Sequence, residues 1–537
     1  MSFLSVLRAP DAVYGAVESS PFDFEEKEGC PVKYEYLLDG SSARVIVYPS
    51  GEPVKYLKFR WNGDLSSVDK VYGDTWERCY FNSSPLSWQS VNGARSLPWF
   101  SYIKDESKTM CYGVKTGANC FASWHIDTHG VTLFMNLTCG VDGTDIKEPL
   151  LACEVVELCG NDGESSFAVA KEFSTLMCEN PKFPKEPVYG VNNWYWAYGN
   201  ISEESVLREA DYLIKMTSKC EKHRPYMIID DGWQLERTYG YGSYIGGPWT
   251  PNAKFGDMKS LADKIHAKGA KAGIWIRPLL TKTKMPDDAL LVKGDWGGEV
   301  LDPSHPATLE LIKNDVKRIK EWGYDLIKHD FTTIDMFGSH PFTGEKNPYQ
   351  LTKSDRKFYD NTRTNAQIIK GVYEAIQDAA GDIDVIGCNT VSHLTPGIHS
   401  IYRTGDDTSG RNFELTRRNG VNSMMRLPLN RGFYNVDPDC AAFTETVDAG
   451  LNLDYLEMCA ITGVTTLASV TPDILTHEQM ERIQDVFKIA DENECEYTIK
   501  NYDKNSIPDT FVHPTTGEEK SFDWYRCYNG ERVVFEW

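Results

Sequence analysis

The chain reads as an α/β protein. A (β/α)8 barrel spans residues 187–490, an N-terminal antiparallel β-sandwich domain precedes it over 1–180, and a small C-terminal β segment follows over 494–537. Three observations support this. After Pro187, short apolar runs alternate with amphipathic stretches, giving eight strand–helix repeats over roughly 300 residues. Before Pro187, short runs broken by Gly, Asn, Asp and Pro recur without long helical patterns. No glycine-rich phosphate loop supports a doubly wound open sheet, the other architecture that such alternation allows.

In the first region the strand-like runs lie at 43–48, 54–59 and 130–135. Among them Gly73-Asp74-Thr75-Trp76-Glu77-Arg78 forms an aromatic and charged cluster on a loop, which reads as a Trp corner packed against its own sheet. From 189 to 194 runs the first barrel strand, and Ser202 caps the helix carrying Val206, Ala210, Leu213 and Ile214. The strand at 226–229 ends in Asp230-Asp231-Gly232-Trp233. A helix over 258–268 then stops at Gly269, and the third strand covers 272–275. An insertion with Pro278, Pro286 and Pro303 leads to a helix opened by Pro306, with Leu309, Ile312, Val316 and Ile319 on one face. After Gly323 comes a buried strand through Leu326 and Ile327, tipped by Lys328 and Asp330. The remaining pattern places strands at 384–386, 401–404, 432–435 and 464–467, with helices at 364–379, 453–461 and 477–489.

The formal net charge of -22 argues against nucleic acid or an anionic membrane surface as partner, and leaves a homo-oligomer open. No stretch approaches the ~18 apolar residues of a membrane span. The start lacks the basic opening of a secretory signal. The fourteen cysteines show no Cys-x-x-Cys pair, which suits reduced thiols in a cytoplasmic protein. Neither a metal site nor a cofactor is expected.

In a barrel the chemistry gathers at the C-terminal strand ends. These ends supply Asn192, Asn193 and Trp194; Asp230 and Asp231; Trp275 and Arg277; Lys328 and Asp330; Cys388 and Asn389; Arg403, Asp406 and Asp407; and Asn435 with Asp437. Metal hydrolysis would want histidines among the carboxylates, and only His329 lies near, alternating away from its neighbours. A serine hydrolase would want a nucleophile elbow, and Gly-x-Ser-x-Gly is absent. Glycoside hydrolysis wants two carboxylates in an aromatic, hydroxyl-binding pocket, which this inventory offers.

These strand-end motifs resemble glycoside hydrolase clan D: the α-galactosidases of families 27 and 36, their raffinose-synthase-like relatives and, more distantly, family 31. Asn192-Asn193-Trp194 is similar to the Asn-Ser-Trp that opens those barrels. Asp230-Asp231-Gly232-Trp233 matches an Asp-Asp-Gly-Trp motif, and Lys328-His329-Asp330 the Lys-x-Asp nucleophile motif. Arg403-Thr404-Gly405-Asp406-Asp407 resembles the segment bearing the acid/base, and Asp437-Pro438-Asp439 a late Asp-Pro-Asp. The stretch Trp275-Ile276-Arg277-Pro278 departs from a Trp-x-Glu-Pro pattern, and Cys388 lacks the glycine-rich continuation usual in family 36.

The resemblance implies a retaining exo-α-glycosidase acting on an α-galactoside or related carbohydrate. Asp330 is then the nucleophile beside Lys328, and Asp230 and Asp231 accept bonds from the 4- and 6-hydroxyls. Trp194 and Trp275 line the pocket, and Cys388, Asn389 and Arg403 contact the sugar. The Gly-Asp context selects Asp406 as acid/base, with Asp407 orienting Arg403 or binding a hydroxyl. The family 27 spacing, four residues after the Arg, selects Asp407 instead. Whichever serves must hold a proton near neutrality, so an apolar cleft and the Asp330 charge are expected to raise its pKa. Other readings are a raffinose-synthase-like galactosyl transferase, an α-N-acetylgalactosaminidase and a non-catalytic carbohydrate-binding protein.

Overall fold

The structure is a computed structural model that describes residues 4–20, 30–78, 86–91, 96–235, 246–295, 297–338, 348–492, 496–504 and 507–524. Two antiparallel sheets build the N-terminal region. One has five strands, ordered Ala12–Val17, Val54–Asn62, Gly130–Asn136, Phe121–Asp127 and Leu97–Pro98. The other has seven and includes Ser42–Val47, Leu150–Cys159, Thr109–Val114, Phe100–Lys104 and Lys70–Gly73. Alternate residues such as Leu57, Phe59 and Trp61, or Trp124 and Ile126, turn inward, and Trp61, Trp99 and Trp124 all lie in one buried core.

The sequence pattern gave no helix in this region, yet Ser166–Met177 is helical. Its Phe173 and Met177 lie where a Cβ on Gly113 would stand 2.7–2.9 Å from them, so the glycine lets the helix pack against the sheet. The stripe of Phe167, Ala170, Phe173 and Met177 is short, which hid it.

The barrel strands are β1 (Tyr189–Asn192), β2 (Tyr226–Ile229), β3 (Lys271–Ile276), β4 (Leu326–His329), β5 (Asp384–Gly387), β6 (Ile401–Arg403), β7 (Asn435–Asp437), β8 (Cys440–Phe443) and β9 (Thr466–Val470). They form one nine-stranded parallel sheet ordered β7-β6-β5-β4-β3-β2-β1-β9-β8. The curl closes where Thr465 N donates to Val436 O at 2.9 Å. The strand expected at 432–435 is displaced to 435–437 and doubled by β8. Helix ends follow local chemistry: Ser202 and Ser205 form a capping box, as do Thr364 and Gln367, and Pro306 opens its helix. The helix Phe413–Met425 was not anticipated, because its sequence is largely polar and carries no apolar stripe of helical period.

A short antiparallel sheet, Leu280–Thr281, Leu290–Asp295 and Gly298–Leu301, occupies the insertion after β3. Three further strands, Thr498–Ile499, Thr510–Val512 and Glu519–Ser521, make the C-terminal sheet.

The N-terminal region is tied to the barrel by a buried ion pair: Arg426 Nε donates to Asp74 Oδ1 at 2.6 Å, with side chains 0% and 1% exposed. The same guanidinium donates to Thr404 O and Thr75 Oγ1. Replacing Arg426 with Met would strand a buried carboxylate, at a cost of about 3–5 kcal/mol. Thermal unfolding checks this; an unchanged melting temperature would contradict the tie.

Candidate active site

Parity along the strands builds the site. Ile228, Leu326, Ile386 and Ile401 point into the barrel and pack on one another. With a period of two, the next inward positions are Asp230, Lys328 followed by Asp330, Cys388 and Arg403. A polar mouth thus caps an apolar interior.

Asp230 and Lys328 meet there. Lys328 Nζ donates to Asp230 Oδ2 at 2.7 Å, and Asn192 Nδ2 donates to the same oxygen at 2.7 Å. Asp231 N donates to Asp230 Oδ1 at 2.8 Å, and Asp230 N donates to Asn193 Oδ1 at 2.9 Å. Burial works most strongly against the charge on Lys328, but Asp230, together with Cys388 and Asp439 behind it, holds the ammonium well above its usual range. Asp231 turns to Gln234, whose Nε2 donates to its Oδ1 at 2.6 Å.

Asp330 lies at the tip of β4 and is held on both oxygens. Phe331 N donates to Oδ1 at 2.8 Å, and Trp275 Nε1 faces Oδ2 at 3.3 Å. Phe331 itself is left-handed, with φ 64°, where the chain turns from β4 into the helix Thr332–Phe337. Its N–H also meets Asn389 Oδ1 at 3.2 Å, and Arg277, paired with Asp335 at 2.6 Å, stacks 4.4 Å from its ring centroid. Trp275 is 1% exposed, so it touches the carboxylate from below and packs on Trp249 and Phe331. His329 alternates away as expected and meets His399 at 3.1 Å; burial lowers its pKa to about 4, so it is neutral.

The third part of the mouth centres on Arg403. Its Nη2 contacts Asp407 Oδ1 at 3.0 Å and Asp439 Oδ2 at 2.6 Å, and its Nη1 reaches Cys388 Sγ at 3.5 Å. Tyr195 Oη donates to the same Asp439 oxygen. Asp406 enters through its carbonyl, which accepts from Arg403 Nη2 at 3.1 Å and Asn419 Nδ2 at 2.8 Å. Gly405 is required at this bend, since a Cβ would stand 1.7 Å from Asn419 Oδ1. Past this bend Asp407 faces Arg403 and Arg78, and its side chain is 48% exposed, against 9% for Asp406 as a whole residue. Burial by its surroundings would raise the Asp407 pKa, but Arg78, then Arg403 and Lys328, bring it down to about 2. This is opposite in direction to the raised value that the sequence led us to expect of a proton donor. Behind it, burial pushes Asp437 up to about 6.

Arg78 and Glu77 are the residues that sequence reasoning missed. Trp76 does pack on its own sheet, against Trp99 and Phe121. Glu77 Oε1, however, accepts from Asn389 Nδ2 at 2.6 Å, and Arg78 Nη1 bonds Asp407 Oδ1 at 2.9 Å. The signal was two charged residues beside a Trp on a single loop. Trp194 is half-buried, 5.6 Å from Tyr198. The structure therefore brings Asp230 to Lys328, Asp330 to Trp275, and both Cys388 and Asp407 to Arg403. The described side-chain contacts of Asp231 and Trp194, to Gln234 and Tyr198, lie outside these groups.

No family model matches the chain. By sequence it is related to α-galactosidases, being 29% identical over 147 residues to one from Oryza sativa subsp. japonica. That match covers 27% of this chain and 30% of the rice protein, so the alignment spans under a third of that relative's length. By structure it shares the fold of α-galactosidases. One from Thermus thermophilus, solved with p-nitrophenyl α-D-galactopyranoside, gives a TM-score of 0.60 at 17% identity, covering 91% of this chain and 98% of that one. A family 36 α-galactosidase from Geobacillus stearothermophilus, solved as a variant with raffinose, gives 0.59 at 14% identity, covering 90% and 71%.

Proposed function

We propose that this chain, a clan D relative of the α-galactosidases, is a retaining exo-acting α-glycosidase whose substrate is a terminal α-galactoside. The observation that carries the proposal is the ring of inward strand tips, in which a tethered carboxylate, Asp330, shares one mouth with the Lys328–Asp230 pair and the Arg403–Asp407 pair. In this reading Asp330 attacks the anomeric carbon as the glycosidic C–O bond breaks, and the leaving oxygen takes a proton from the acid. Water, deprotonated by the same residue, then releases the sugar from Asp330.

For the acid/base we choose Asp407 over the Asp406 expected from sequence context. Its half-exposed carboxylate bonds Arg403 and Arg78 and lies four residues after Arg403, the family 27 spacing. A bound sugar would cover the exposed half, and that loss of water favours the protonated form.

Asp230, held by Lys328 and Asn192, is proposed to select the axial 4-hydroxyl. Charge-assisted bonds of this type contribute about 1.5–3 kcal/mol each. We therefore expect an aryl α-galactoside to be cleaved faster than the α-glucoside, and Asp230→Ala to lower kcat/KM by roughly 10- to 100-fold. A clear glucoside preference would overturn the substrate assignment. Incubation with raffinose separates hydrolysis, which releases free galactose, from galactosyl transfer, which lengthens an acceptor.

A further inference from the structure

Two consecutive residues of the N-terminal region, Glu77 and Arg78, reach the two carboxylates of the mouth by separate routes. Arg78 Nη1 bonds Asp407 Oδ1 at 2.9 Å and stands 3.5 Å from Cys388 Sγ, with its side chain only 7% exposed. Glu77 is fully buried, and its oxygens accept from Asn389 Nδ2 at 2.6 Å and Thr333 Oγ1 at 2.8 Å. Asn389 Oδ1 accepts from the Phe331 N–H that also donates to Asp330. The loop carrying the pair is itself anchored, since Arg426 grips Asp74, Thr75 and the Glu77 carbonyl.

We infer that Glu77 and Arg78 are positioning residues for the barrel's chemistry, a yoke from the N-terminal region that fixes Asp330 through Asn389 and clamps Asp407 directly. The inference rests on the function proposed above. A buried guanidinium and a fully buried carboxylate are costly to keep in a loop unless each is paired, and here their partners lie in the mouth. Both spacings are short enough that a shift of an ångström would break them, and misplacement of that size costs on the order of 100-fold in rate.

The charged and titratable groups around Asp407 come from several elements. Arg78 from the loop, Arg403 from β6, Lys328 from β4 and Tyr195 after β1 act on it directly, and Cys388 after β5 and Asp439 after β7 bear on it through Arg403. Arg78 is the cation among these that the barrel does not supply. Removing it therefore raises the Asp407 pKa. The acid then stays protonated to higher pH, so the limb of kcat/KM that falls with rising pH moves toward alkali.

The test uses the full chain with R78M, R78K and E77Q, assayed on an aryl α-galactoside beside the wild type and D330N. R78M is expected to lose roughly 10- to 100-fold in kcat/KM and to shift the falling limb up by about one pH unit. R78K should lose less and leave the limb in place. E77Q should lower kcat without moving the limb. A falling limb unmoved in R78M, or wild-type kcat/KM in R78M and E77Q, would overturn the inference. A second readout is independent of turnover: thermal unfolding of R78M, D407N and the double variant. Non-additive effects are expected for a direct pair, and additive ones would overturn the clamp. If the wild type cleaves no α-galactoside while the unfolding cycle is non-additive, the proposed function fails and the clamp stands.

Discussion

Asp330→Asn is expected to abolish turnover of an aryl α-galactoside, by on the order of 10³-fold or more, while the protein stays folded. The nucleophile must form a bond to carbon, and an amide oxygen at that position attacks far more weakly than a carboxylate. The fold should survive because the substitution keeps shape and one strong contact: the Asn oxygen can still accept from Phe331 N, as Asp330 Oδ1 does at 2.8 Å. At the other position an NH₂ group would face Trp275 Nε1, now 3.3 Å from Oδ2, donor against donor. A small drop in melting temperature is the expected trace of that mismatch. A variant keeping a tenth of wild-type activity would remove Asp330 from the nucleophile's role.

The second large effect separates the adjacent acids. Asp407→Ala is expected to cripple substrates with poor leaving groups, such as raffinose, and to spare the first step on activated aryl galactosides, which need no proton. Azide should then speed the second step, because an anionic nucleophile needs no general base. Asp406→Ala should lack this pattern, since the backbone carbonyl that accepts from Arg403 and Asn419 is kept. The reverse result would return the role to Asp406. The pH dependence follows from the guanidinium pair that lowers the Asp407 pKa to about 2. A donor with a depressed pKa is protonated only in acid, so kcat/KM for poor leaving groups should be higher at about pH 5 than at pH 8.

Much of this mouth was legible in the sequence because strands impose parity. Once Ile228, Leu326, Ile386 and Ile401 are read as core, Asp230, Lys328, Asp330, Cys388 and Arg403 follow two or four residues later on the same face. That rule works only while the chain stays extended. At Gly405 it bends, and the choice between Asp406 and Asp407 passes to contacts with Asn419 and Arg403, which spacing does not encode. Strand parity likewise does not show that Asp231 Oδ1 accepts from Gln234 three residues on. The yoke was hidden for another reason. Arg78 meets Asp407 across 329 residues of chain, and a local reading could assign Trp76 correctly to its sheet while leaving its two neighbours unexplained. The Phe413–Met425 helix was obscured because it buries polar side chains such as Arg417, Asn419 and Asn422, so no apolar stripe marks its period.

The left-handed turn at Phe331 bears on where the entropy of reaction resides. A carboxylate on a flexible side chain would have to give up rotation about its last bonds on meeting substrate. Here a backbone N–H and an indole N–H grip its two oxygens, while Arg277 and Asn389 hold the Phe331 ring and amide that create one of those grips. The ordering of the reacting group is thus completed when the chain folds, well before a sugar arrives. Relaxing the turn with Gly at 331 would return that freedom to Asp330, and the loss would be recorded as a more negative entropy of activation rather than as a weaker KM.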